Sequence, residues 1–210
     1  MLYSRYVLPR LIDFAMRRDD ATRLRAAHVP NARGVVVEIG IGSGLNLPFY
    51  TTAVTRLYGV DPSRELLAMA ATRLSSASCP VQLVIANAEQ IPLAAGSVDT
   101  VVTTWSLCSV THPAAVLGEV RRVLRPGGAF IFVEHGLSPD HGVRQWQNRL
   151  TPLWKRVAGG CHLNRPVAEM IREAGFAIVE LRNQYVSGPR PMTFMYEGIA
   201  HANHPTRPRS

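Results

Sequence analysis

Short β-branched apolar runs alternate along the chain with longer segments whose apolar positions recur at helical spacing. Residues 35–39, 56–60, 81–86, 98–103 and 129–134 are runs of the first kind, bounded by Gly, Pro or Asp, and they predict strands. The first of them, Val35 to Ile39, is β-branched except at Glu38 and reads as a strand buried on both faces. Residues 62–77 place Leu66, Leu67, Ala70 and Leu74 on one helical face, and Val116, Leu117, Val120, Val123 and Leu124 form a second such face. That second helix stops at Arg125-Pro126-Gly127-Gly128, a turn into the next strand. Residues 167–174 read as a further helix, 176–182 as a sixth strand and 192–200 as a seventh. Strand and helix in alternation predict one α/β domain with a mostly parallel sheet flanked by helices.

The first strand runs into Gly40, Gly42 and Gly44, with Glu38 just before them. Glycine permits positive φ and, lacking a Cβ, lets a ligand approach the backbone, so a strand entering such a turn is a ligand-binding device. The spacing excludes two nucleotide classes. A dinucleotide fingerprint requires glycine three positions after Gly42, where Leu45 stands, and no Gly-Lys-Ser or Gly-Lys-Thr is present for a P-loop. Asp61 ends the second strand about twenty residues further on, where a carboxylate accepts ribose hydroxyl hydrogens. Its other reading is a helix cap before Pro62.

Composition narrows the picture. The chain has 210 residues, 47% of them hydrophobic, which suits one globular domain with a sizeable core. No apolar run reaches roughly 18 residues, and the expectation is a soluble, cytoplasmic protein. Cys79, Cys108 and Cys161 are far apart and odd in number, giving neither a disulfide framework nor a zinc spacing. The net charge of +8 collects at the ends, in Arg5, Arg10, Arg17, Arg18, Arg23 and Arg25 and in Arg207 and Arg209. No RNA-binding signature accompanies it, so nucleic acid is not an expected partner. At the front, Tyr3, Val7, Leu11 and Phe14 share a helical face within residues 3–25, which predicts an amphipathic helix packed on the domain; its basic residues would also suit peripheral membrane contact.

Glu38-x-Gly40-x-Gly42-x-Gly44 resembles motif I of the class I S-adenosylmethionine-dependent methyltransferases. Three later stretches agree with it in the same order. Asp61 stands at the ribose position. Asn87-Ala88-Glu89-Gln90-Ile91-Pro92 resembles the segment by which these enzymes hold adenine, with Asn87 where Asp is usual. Leu124-Arg125-Pro126-Gly127-Gly128 resembles a turn of the ubiquinone-biosynthesis-type branch. More narrowly, Leu107-Cys108-Ser109-Val110, Glu134-His135, Trp146-Gln147 and residues 160–165 look like the branch that includes the alkyl-thiol S-methyltransferases. The resemblance implies a Rossmann-like, seven-stranded sheet with an antiparallel last strand, S-adenosylmethionine as methyl donor, and no metal. It also implies a small-molecule acceptor, foremost a thiol or sulfide. The alternatives are a phospholipid amine or a quinone ring and, in another class, a module that binds the cofactor without turnover.

Carried over residue by residue, the resemblance assigns Glu38, Gly40, Gly42, Gly44, Asp61, Asn87, Ala88, Glu89 and Thr104 to the cofactor. A displacement at a methyl carbon depends chiefly on alignment and asks for at most a weak base. His135 is the first candidate, followed by His112 and His162. Each has a plainer reading, as a loop hydrogen bond, a helix start beside Pro113 and a packed ring, respectively. Trp105 and Trp146, with Trp154, are expected to line an apolar acceptor pocket beside Cys108, Cys161 and Asn164, although the two cysteines also serve as small apolar fillers. The division expected is a helical cap over residues 1–33, a cofactor-binding core over 34–135, an acceptor-site lid over 136–166, the rest of the core over 167–200, and a disordered tail over 201–210.

Overall fold

β1 (Gly34–Ile39), β2 (Val54–Asp61), β3 (Val81–Ile85), β4 (Val98–Thr104), β5 (Leu124–His135), β6 (Phe176–Tyr185) and β7 (Phe194–Ala202) form one sheet in the computed structural model of the chain, which describes residue 3 and residues 7–203. The strand order is β3-β2-β1-β4-β5-β7-β6. The first five strands pair in parallel, and β7 lies antiparallel between β5 and β6, as the resemblance implied. Successive residues of the central strands enter different apolar clusters: Val37, Phe130 and Phe132 one, Val36 and Ile131 the other. Burial on both faces explains why these strands read as nearly unbroken apolar runs. From β1 the chain proceeds outward to β2 and β3, then returns to place β4 on the other side of β1. The crevice for a ligand opens at that reversal, at the carboxyl ends of β1 and β4.

The helices differ from expectation in several places. α3 (Arg64–Ala71) is shorter than residues 62–77, and its N-cap is Ser63, whose Oγ accepts the Leu66 N–H at 3.2 Å. Capping is therefore not the task of Asp61. After α4 (Pro113–Val123), Leu124 already pairs with Val98, and the register shifts before Ala129 pairs with Thr100. The Arg125–Gly128 stretch is thus an irregularity within β5 and not a turn ahead of it. β6 outruns its predicted end because most of its side chains are exposed and leave no apolar pattern to read.

Residues 3–25 do not form a single helix. α1 (Leu8–Ala15) and α2 (Asp19–His28) are separated by a break, and Tyr3, Val7, Leu11 and Phe14 face outward. What packs α1 down is buried Asp13. Its carboxylate accepts the Ser43 hydroxyl at 2.6 Å and lies 2.6 Å from Arg17 and 3.0 Å from Arg73, latching α1 to the glycine loop and to the chain leaving α3. Residues 136–166, irregular in sequence, contain the long α5 (His141–Val157). Its pattern is inverted: Gln147 and Thr151 are buried, whereas Trp146, Leu153 and Val157 are exposed, and Pro152 interrupts the run. Gln147 acts as a polar staple, accepting the Ser138 N–H at 2.9 Å and donating to the Gly136 and Pro191 carbonyls at 3.0 and 3.1 Å. α6 (Val167–Glu173) then leads into β6. Residues 204–210 of the predicted tail lie outside the described residues.

At the end of β5, the fully buried Glu134 accepts the Ser106 N–H at 3.1 Å and so holds the loop that leaves β4. Burial pushes its pKa up to about 7, against the backbone N–H groups of Leu107 and Ser106. The folded chain therefore holds this proton where the unfolded chain has released it, between about pH 4.5 and 7, and stability falls as pH rises through that window. A shift of this size corresponds to about 3 kcal/mol. Glu134→Gln keeps an acceptor for Ser106 but carries no proton to lose. Thermal midpoints measured across the window should decline more steeply for the wild type than for Glu134→Gln; parallel curves would show that Glu134 is ionised throughout.

Candidate active site

The carboxyl ends of β1, β2 and β4, closed over by α1, α2 and residues 154–163, surround a cavity of about 750 Å³. Its floor is the glycine loop. Gly42 has φ +56°, a conformation L side chains rarely adopt, and a Cβ there would meet no protein atom closer than the Gly40 oxygen at 3.8 Å. The space above Gly42 is cavity. At Gly40 an added Cβ would lie 2.2 Å from the Ser106 Oγ, so this glycine lets the β4 loop pack on the β1 loop. Below the loop, the buried Glu38 carboxylate accepts from the Asn46 amide and the Tyr50 hydroxyl, both at 2.8 Å. Burial pushes Glu38 up to about 7, opposed by those two hydrogen bonds and by the charge of Arg25. Asn46 also donates to the Thr104 Oγ1 at 3.0 Å, which joins the ends of β1 and β4.

Asp61 closes the other side. Its Oδ2 accepts the Gly42 N–H at 3.0 Å and its Oδ1 the Ser63 N–H at 2.8 Å, and it borders the cavity. Burial raises its pKa, offset by these two donors. Ala88 is buried in the core behind the cavity, and Asn87 and Glu89 stand at its rim. The Asn87 Oδ1 accepts the Glu89 N–H at 3.1 Å, so the carbonyl expected to meet adenine is engaged within its own turn. Glu89 in turn holds His112, whose Nδ1 is 3.1 Å from its carboxylate and whose backbone N–H it accepts at 3.1 Å. His112 lies on this exposed pair and does not line the cavity.

At the opposite end the cavity is lined by Trp105, Cys108, His135, Trp154, Cys161 and Met195. Cys108 and Cys161, in separate loops, meet: hydrogen bonding from Cys161 and burial push the Cys108 thiol well up, while the same contact and Trp154 hold Cys161 below its ordinary value. His135 adjoins Cys108 and is buried, with its Nε2 3.4 Å from the Pro191 carbonyl. The ring lies against the Cys108 thiol, and its buried Nδ1 has no hydrogen-bond partner of ordinary geometry among the described residues. His162 is spent elsewhere: its Nδ1 lies 3.2 Å from Arg165, whose guanidinium donates to the Leu107 and Val110 carbonyls. Asn164 bonds Asn148 at 2.9 Å on the surface, and Trp146 is exposed on the outer side of α5, so neither reaches the cavity.

The residue that sequence reasoning missed is Arg25, on α2. It is buried, lines the cavity, donates through Nη1 to the Met16 carbonyl at 2.8 Å, and lies 4.9 Å from the Trp105 ring centroid. Its Nε has no partner among the described residues, and burial lowers its pKa to about 10, countered by Glu38. Trp105 itself has φ +52°, an uncommon strained conformation for a non-glycine residue that turns the chain sharply out of β4. Arg25 had been counted among the basic residues of an end, and only tertiary packing shows it inside. No group of three or more His, Cys, Asp or Glu among the described residues is placed to hold a metal ion.

A family model described as a methyltransferase domain matches residues 37–132. Thiol S-methyltransferase TMT1B of Homo sapiens is 32% identical over 187 residues, spanning 87% of this chain and 74% of that protein. Phosphatidylethanolamine N-methyltransferase of Cereibacter sphaeroides is 34% identical over 137 residues, spanning 63% of this chain and 66% of that one. Among solved structures, a chain from the complex between the Haloferax volcanii Trm112 methyltransferase activator and a methyltransferase superposes with a TM-score of 0.70 at 20% identity, over 92% of this chain and 94% of its own. Taken with a glycine loop open to the cavity and a carboxylate at the end of β2, these similarities identify the family: the chain belongs to the class I S-adenosylmethionine-dependent methyltransferases.

Proposed function

We propose that the enzyme methylates a small or amphiphilic thiol or sulfide. The observation that carries this reading is the makeup of the cavity's far end, where Cys108, Cys161, Met195, Trp105 and Trp154 present a soft, apolar surface beside the His135 imidazole. S-Adenosylmethionine supplies an electrophilic methyl group, whose carbon an aligned nucleophile takes in line as S-adenosylhomocysteine leaves. The protein's part is to hold the two ends of one cavity in register and to exclude water between them. Gly40, Gly42, Asp61, Ala88 and Thr104 line the donor end, with Glu38 positioning the glycine loop from beneath, while Gly44 lies away from the cavity, packed on Leu47 and on Ala70 of α3. A thiol is a few per cent ionised at neutral pH, so a bare imidazole nitrogen suffices to take its proton. Of the three histidines His135 borders the cavity, whereas His112 and His162 are bonded elsewhere.

Arg25 is assigned to the carboxylate at the amino-acid end of the donor. Arg25 lines the cavity from α2 with an Nε that has no hydrogen-bond partner among the described residues, and a carboxylate is the natural complement of a guanidinium. Calorimetry of Arg25→Met should show S-adenosylhomocysteine binding weakened by about 10- to 100-fold, the loss of a hydrogen bond to a charged group. Affinity for 5′-methylthioadenosine, which lacks that carboxylate, should be unchanged. Equal losses for both ligands would make Arg25 a support for Trp105 and nothing more.

Methyl transfer to a series of thiols tests the acceptor and the base together. Removing a general base typically costs about 10²-fold or more. His135→Ala should show a loss of that order on alkyl thiols whose pKa lies well above the assay pH, and a much smaller one on acidic aromatic thiols that ionise unaided. A uniform loss across the series would leave His135 with a structural role. If no thiol or sulfide is methylated while a phospholipid amine or a quinone precursor is, the acceptor assignment fails and the methyltransferase assignment stands.

A further inference from the structure

The two helices that close the cavity have outer faces no part of the described structure covers. Tyr3, Val7, Leu11 and Phe14 form an exposed apolar stripe along α1, with Phe14 at 78% exposure. Trp146, Leu153 and Val157 form another along α5, with Leu153 at 64%. The stripes adjoin, because the Tyr3 hydroxyl donates to the Val157 carbonyl at 2.8 Å and the α1 side chains Leu8 and Ile12 reach Gly159 just beyond α5. Most of the exposed large hydrophobic side chains among the described residues belong to this one surface. Isolated surface apolar residues need no explanation, but a contiguous patch on two helices does.

Charge selects the occupant. α5 carries Arg144, Arg149, Lys155 and Arg156 and no acidic residue. At 100° per residue, Arg149 and Arg156 flank the α5 stripe, and Arg10 flanks Leu11 and Phe14 on α1. The Arg149 guanidinium lies 5.9 Å from the Trp146 ring centroid, an aromatic and cationic pairing suited to the boundary between headgroups and acyl chains. The inner faces of the same helices, through Leu8, Ile12 and Trp154, line the acceptor end of the cavity. We infer that the outer face of α1 and α5 docks on an anionic phospholipid bilayer, so that an amphiphilic acceptor dissolved in the lipid passes between the two helices into the cavity. No helix of the described residues is long and apolar enough to cross a membrane, and this mode of contact requires none. The choice of acceptor rests on the preceding proposal, whereas the docking itself does not.

The full chain should co-sediment with phosphatidylcholine vesicles that contain phosphatidylglycerol, and far less with phosphatidylcholine alone. Arg149→Ser and Arg156→Ser should each lower partitioning into the anionic vesicles by about fivefold, and salt should weaken binding. The double variant Phe14→Asp, Leu153→Asp should lose at least about tenfold in partitioning, since its apolar contact with the bilayer is gone. It should still bind S-adenosylhomocysteine normally and methylate a water-soluble thiol, while turnover of a long-chain thiol in vesicles drops. Failure of the wild type to sediment with either vesicle overturns the proposal. So does sedimentation analysis in which the stripe holds two copies of the chain together and the same double substitution separates them without any effect on lipid.

Discussion

The site depends on a carboxylate that ties two neighbouring parallel strands together at the edge where ligands bind. Asp61, at the end of β2, accepts the N–H of Gly42, in the loop that leaves β1, and the N–H of Ser63, which caps α3. Three elements are thereby fixed by one side chain that also borders the cavity. Hydrogen bonds to a charged acceptor are each worth roughly 1.5–3 kcal/mol, enough to hold a glycine loop in a conformation that its flexibility would otherwise dissipate. Structural and ligand-facing roles are thus inseparable at this residue.

Two further carboxylates extend the same logic at higher cost. Glu38 and Glu134 sit at the ends of β1 and β5 and are buried, and burial pushes each up to about 7. An apolar residue at either position would be easier to bury. Each acid orders a loop that walls the cavity. Glu38 fixes Asn46 and Tyr50, and through Asn46 reaches Thr104; Glu134 fixes Ser106. With Asp13 latching α1 to Ser43, the cavity is enclosed by loops whose polar anchors lie beneath or beside it, leaving its surface mainly apolar.

Legibility in the sequence follows burial. The central strands and the glycine loop could be read because β-branched runs and positive-φ glycines are local demands, and the antiparallel β7 followed from the resemblance. α5 escaped because its buried residues are polar and its exposed stripe is apolar, which inverts the usual amphipathic pattern. The same inversion turned Tyr3, Val7, Leu11 and Phe14 from an expected packing face into a surface. Among the histidines, residue type gave three candidates of equal chemistry. Only tertiary structure separates them: Glu89 takes His112, Arg165 takes His162, and His135 borders the cavity. Cys108 and Cys161 could not be joined from sequence, since 52 residues and a helix pair lie between loops that meet only in the fold.

The two ends of the cavity come from different parts of the chain, and that division has a chemical consequence. Glu38, the glycines, Asp61, Ala88 and Thr104 all fall within residues 37–132, the stretch that matches the family model. Trp105 and Cys108 reach the far end from within that stretch, His135, Trp154, Cys161 and Met195 lie beyond it, and Arg25 lies before it. Relatives named for a thiol and for a phospholipid amine both align with this chain, and neither name can be read from the shared stretch. The sulfur-rich, aromatic wall around His135 is assembled from the matched stretch and from segments beyond it, and its chemistry is set by those side chains and not by the fold.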